Sequence, residues 1–135
     1  MLYQEYVQKA QQALQLIQVT RYQEAVDALY QLILSEISDV DKADLCAKLA
    51  AVYDRMGNTD EAINWYEKGI AYEQNYCRYE VSEKKAQYLS QLGRSDQAVS
   101  IYESLMKQPF VSEAEKERMR KTTQGLLGKS MRGWK

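Results

Sequence analysis

The sequence predicts an all-α chain of three stacked helix pairs followed by a terminal helix. Three observations carry that prediction. First, one stretch recurs. Residues 57–70, GNTDEAINWYEKGI, return at residues 93–106 as GRSDQAVSIYESLM and occur upstream, more faintly, at residues 20–33 as TRYQEAVDALYQLI. The copies start 37 and 36 residues apart (57 − 20 and 93 − 57), a period that marks an array of short stacked units. Second, the apolar residues inside each copy keep helical spacing. Ala25, Ala62 and Ala98 are followed one residue on by Val26, Ile63 or Val99, four on by Leu29, Tyr66 or Tyr102, and eight on by Ile33, Ile70 or Met106. Those steps share one face of a 3.6-residue helix and would alternate on a strand. Third, one proline and six glycines in 135 residues leave little chain for linkers.

The elements follow in chain order. The first helix carries an apolar stripe, Tyr3, Tyr6, Val7, Ala10, Leu14 and Ile17. Two uses of that stripe compete: it packs on the second helix, or it stays open as a docking face for a partner helix or a second copy. The second helix is the copy at 20–33, where Thr20 stands at the place of Gly57 and Gly93. The third helix shows Leu45, Cys46, Leu49, Ala50, Tyr53 and Met56 on one side, with Ser38 or Asp41 placed to cap it. Gly57 and Gly93 then permit left-handed turns. Thr59 and Ser95 are expected as N-caps of the helices that follow, with Asp60, Glu61 and Asp96 in their first turns. Alanine at 25, 62 and 98 suits helices that approach closely. Pro109 stops the last helix of the array. A terminal helix opens at a capping box, Ser112 to Glu115, and the polar length of VSEAEKERMRKTTQGLL suits the solvated end a stacked array needs.

Composition excludes several function classes. With no histidine, Ser-His-Asp and Cys-His activation and His-based zinc sites are absent. The net charge of −1 gives no general pull on nucleic acid or anionic membrane, and no apolar run is long enough to span a bilayer. MLYQEYVQKA lacks the pattern of a signal peptide. Cys46 and Cys77 suit a reducing compartment, and a cytoplasmic location is expected. The GKS at Gly128–Ser130 lacks the upstream glycine of a phosphate loop, since Thr123 stands there. Asp39, Asp41 and Asp44 lack the glycine and distal glutamate of a calcium loop. No catalytic residue, metal ligand or cofactor site is therefore expected. Charge is uneven: Glu36 to Glu80 holds ten acids and five bases, and Lys116 to Lys135 holds seven bases and one acid.

The skeleton of small residue, tyrosine, glycine, alanine and aromatic resembles the tetratricopeptide-repeat family. Ala13, Ala50 and Ala86 match the small position of its first helix, Leu16, Tyr53 and Leu89 the large one, and Tyr66 and Tyr102 the aromatic of its second. The resemblance implies a right-handed α-α superhelix with repeats at 6–39, 43–76 and 79–112, a capping helix at 112–127 and a frayed tail at 129–135, residues 1–128 forming a single domain. In that family the first helices line a concave groove that holds partner segments. The matching positions here are Val7, Ala10, Leu14 and Ile17 in the first repeat. They are Asp44, Ala47, Ala51, Asp54 and Arg55 in the second, and Glu80, Glu83, Gln87 and Gln91 in the third. The family's carboxylate clamp is missing: its positions hold Ala10, Leu14, Lys48, Glu80 and Lys84, which argues against a chaperone's C-terminal tail as ligand. The expected function is a protein-interaction module: scaffold, adaptor or small chaperone. Its partner would be a protein or peptide rather than nucleic acid, with a second copy docked through the first helix as the homodimeric option. The alternative is a regulatory or sensory domain with a small ligand or lipid in the groove.

Overall fold

A computed structural model describes residues 2–132 of the chain, among which lie seven α-helices and no strand. They are α1 (Tyr3–Gln18), α2 (Tyr22–Ile33), α3 (Asp39–Arg55), α4 (Thr59–Glu73), α5 (Glu80–Gln91), α6 (Ser95–Met106) and α7 (Glu113–Arg132), with a 3-10 turn at Gln74–Tyr76 after α4. By contact the chain divides into two compact units, Met1–Val81 and Ser82–Lys135. The last residues of the expected tail, 133–135, lie outside the described residues; α7 runs on through Arg132.

In the first unit, α1 packs on α2, α2 on α3, and α3 on α4. The contacts are made by small residues. Ala13, Ala25, Ala50 and Ala62 have no exposed surface. Gly69 of α4 goes further: a Cβ there would lie 2.9 Å from Val81 Cγ1, 3.1 Å from Cys46 Cβ and 3.2 Å from the Ala43 carbonyl oxygen. α3 is buried over more than one face, through Ala43, Leu45, Cys46, Ala47, Leu49, Ala50 and Val52. The single expected stripe omitted Ala43, Ala47 and Val52. The third helix is packed against α2 as well as α4, so it hides more of its circumference than a surface helix does. At its far end Met56 is 40% exposed instead of packed.

The same turn closes the first helix of every pair. The amide of Arg21 donates to Leu16 O, that of Asn58 to Tyr53 O and that of Arg94 to Leu89 O; one residue earlier Thr20, Gly57 and Gly93 donate to Ile17, Asp54 and Ser90. This two-bond arrangement places the residue after the helix in the left-handed region. Gly57 and Gly93 take φ of 80° and 79°, and Thr20 takes 61° despite its branched side chain. The caps of the next helices differ from the expected ones. Asn58, not Thr59, caps α4 and accepts from the Glu61 amide at 3.3 Å. Ser95 is already the first helical residue of α6, and its cap, Arg94, makes no side-chain cap bond. The left-handed residue needs only one residue between itself and the helix, which moves each start one place earlier. Of the two cap candidates for α3, Ser38 serves, accepting from Asp41 N at 3.1 Å, while Asp41 lies inside the first turn.

Glu73, 1% exposed at the end of α4, accepts the Val81 amide with both carboxylate oxygens, at 2.9 and 3.0 Å. It thereby satisfies one of the open donors at the start of α5. In the second unit α6 packs on α7. Ala98 and Tyr102 of α6 are buried, as are Met119, Thr123 and Leu126 of α7 at steps of four and three. Ser112 Oγ accepts the Glu115 amide at 3.2 Å. The Glu115 carboxylate bonds Arg118 instead of reaching back to close the box.

Candidate functional site

The expected groove positions are not equivalent in the structure. On α1, Val7, Ala10 and Ile17 are half-buried and Leu14 is 39% exposed. The helix is neither turned inward nor left wholly open. It seats on α2 through Ala13, which has no exposed surface, with Leu16 and Ile17 half-covered beside it. Lys9 and Gln12, polar where the repeat pattern wants apolar residues, line a cleft of about 400 Å³ with Leu16, Ala28, Gln31 and Ser35. Both are exposed, between α1 and α2.

On α3, Asp44 is half-buried and Ala51, Asp54 and Arg55 are exposed, whereas Ala47, at 5% exposure, belongs to the core. Asp44 and Asp41 both lie near Tyr6 of α1. Burial first, then these two carboxylates and Tyr3, push the Tyr6 hydroxyl up to about 12. The start of α1 and the start of α3 thus meet. Tyr3, Tyr6, Glu36, Ile37, Ser38 and Asp41 line a cleft of about 340 Å³ there. Glu36 and Asp41 were not among the expected groove residues. The acidic stretch SEISDVDKAD carries the signal, but in sequence Ser38 and Asp41 read as helix caps and only Asp44 as a groove residue.

On α5, Gln87 and Gln91 are exposed, but the two acids are engaged within the chain. Glu80 accepts from Arg78 at 3.0 Å. Glu83 receives both arms of the Arg118 guanidinium, at 2.6 and 3.0 Å. Bonds to Glu83 and Glu115 hold the Arg118 guanidinium more firmly protonated than usual. The same bonds to Arg118 hold the Glu115 carboxyl below the usual carboxylate range. Part of the basic charge of the terminal helix is spent inside the second unit: Arg118 on Glu83, Arg120 on Glu117 and Lys116 on Glu113.

The tyrosines divide by depth. Tyr66 and Tyr102 are buried at their repeat positions, and burial raises the Tyr102 hydroxyl. Tyr76 is half-exposed and donates to Asp39 Oδ2 at 3.1 Å. Between α2 and α4, Tyr30 meets Trp65 edge to face at 6.0 Å, and Lys68 Nζ sits 4.0 Å above the Trp65 ring. Trp65 Nε1 is buried and makes no hydrogen bond among the described residues. Burial first, then the charges of Glu61 and Asp27, raise the Tyr53 hydroxyl.

Among the described residues no three histidine, cysteine, aspartate or glutamate side chains are grouped to hold a metal ion. No helix there is long and apolar enough to cross a membrane. Cys46 is buried and Cys77 exposed, both as free thiols.

A family model described as tetratricopeptide repeat matches residues 43–76. Among solved structures, the type III secretion translocator chaperone SycD of Yersinia enterocolitica is similar, with a TM-score of 0.66 and 18% sequence identity. The match covers 97% of this chain and 89% of that one. At that identity it shows the fold alone. Compared with curated proteins, the sequence matches none.

Proposed function

We propose, for a chain whose residues 43–76 match the tetratricopeptide-repeat model, that it is a non-enzymatic interaction module holding a segment of another protein along α1 and α3, as an adaptor or small chaperone. The carrying observation is the α1 face: Val7, Ala10, Leu14 and Ile17 keep substantial surface although they are apolar and aligned. An aligned apolar face of this kind marks an interface. The similar structure is that of a chaperone, which supports the same reading. The clefts along the first unit, about 330 to 400 Å³, are open at the surface and favour a segment over an enclosed small molecule. Free thiols at Cys46 and Cys77 support a reducing, cytoplasmic setting.

Leu14→Glu tests this. Leu14 is exposed enough for the charge to stay in water, so the melting temperature should hold within a degree or two while partner capture from the native host is lost. A captured protein retained equally by the native chain and by Leu14→Glu would refute the groove reading.

A further inference from the structure

We infer that the segment held along α1 and α3 carries a lysine or arginine at one end of a short apolar run, and that the cation seats between Tyr3, Tyr6 and the carboxylates at the start of α3. The inference rests on the groove reading above and names the chemistry of its occupant. Glu36 and Asp41 line the cleft that Tyr3 and Tyr6 wall. The two rings stand 6.3 Å apart at a 40° tilt, and Tyr3 is 75% exposed. Aromatic faces attract a cation, and carboxylates bond it with charge assistance. Asp44, three residues past Asp41 on α3 and half-buried, stands on the neighbouring turn of the same helix and adds to the same field.

No ion pair holds Glu36, Asp41 or Asp44 among the described residues. The nearest cation in sequence, Lys42, points the other way, its Nζ 5.9 Å from the Tyr72 ring centre. The contrast with α5 is the second ground. There the acids Glu80 and Glu83 are met by Arg78 and Arg118 of the chain itself. At the α1–α3 end the carboxylates of Glu36, Asp41 and Asp44 are left, among the described residues, for a partner to answer.

From this end the apolar face continues through Val7, Ala10 and Leu14. Tyr6 to Ile17 is 11 residues (17 − 6), about 16 Å of helix at 1.5 Å per residue. An extended segment of about five residues covers that length.

The test is selection of a phage-displayed library of random peptides, about a dozen residues long, on the full chain. Parallel selections use Asp41→Asn/Asp44→Asn and Leu14→Glu, all checked for folding by circular dichroism. The expected result is a lysine or arginine at one fixed place beside two or three apolar residues. A synthetic copy should weaken about tenfold when that cation becomes glutamate, and similarly on Asp41→Asn/Asp44→Asn or in high salt, as for a paired charge at an interface. The peptide-side exchange needs no variant to fold. Selected peptides without a fixed basic residue, or equal binding by the aspartate variant, would overturn the charge assignment and leave the groove standing. Peptides that Leu14→Glu does not weaken, or no enrichment at all, would overturn both. A dimer in light scattering that Leu14→Glu dissolves would put a second copy on the face and overturn the proposal as well.

Discussion

Replacing Gly69 by alanine should destabilise the protein, although alanine is the better helix former. The intrinsic preference of alanine over glycine in a helix interior is about 1 kcal/mol. Against it stand three contacts. The new Cβ would lie 2.9 Å from Val81 Cγ1, 3.1 Å from Cys46 Cβ and 3.2 Å from the Ala43 carbonyl oxygen, whereas carbon atoms rest at about 3.5–4.0 Å. Two of those neighbours are fixed to the backbone of α3, and Val81 is stiff at χ1, so relief requires α3 and α4 to move apart. Overpacking of this kind costs about 1–3 kcal/mol. The balance is a loss of about 1 kcal/mol, or about 4 °C in melting temperature for a chain of this size. Gly125 provides the control. It lies within α7, and a Cβ there meets nothing within 4 Å, so Gly125→Ala should gain most of the helix preference, about 0.5–1 kcal/mol. Urea unfolding of both variants by circular dichroism measures the difference directly. Stabilisation by Gly69→Ala equal to that by Gly125→Ala would refute the close approach of α3 and α4 at this point.

Three further outcomes are expected. Thr20→Gly should stabilise by about 1 kcal/mol, because a branched residue at φ 61° is strained and glycine is not; thermal melting that falls or stays level would show that the strain is absent. Arg94→Asn, which copies the side-chain cap that Asn58 provides in the preceding pair, should raise stability by about 0.5–1 kcal/mol, measured the same way. Burial pushes the Cys46 thiol up to about 11 from 9.0. The unfolded thiol therefore ionises first as pH rises, and stability should fall between those two values; at neutral pH a thiol reagent should label exposed Cys77 promptly and Cys46 only on unfolding, so equal labelling rates would count against the core placement.

The sequence by itself determined the helices and the turns that close the first helix of each repeat. The recurring alanine and aromatic columns, the glycines at 57 and 93, and the serine at 38 are local signals, each acting within one or two turns of chain, and local signals survive in a linear reading. Thr20 shows how strongly the pattern holds. The backbone takes the same left-handed turn there without the residue that makes it easy, because the two helices it joins must still pack. Only the tertiary structure decided which polar residues face one another. Glu83 reads as a free groove acid until Arg118, 35 residues later, binds it. Ala47 reads as surface until α3 is seen enclosed on more than one side. Asp41 reads as a helix-capping charge until the start of α1 brings Tyr6 beside it. These pairings depend on distance through space between residues far apart in the chain, and helical periodicity constrains only the spacing along one element.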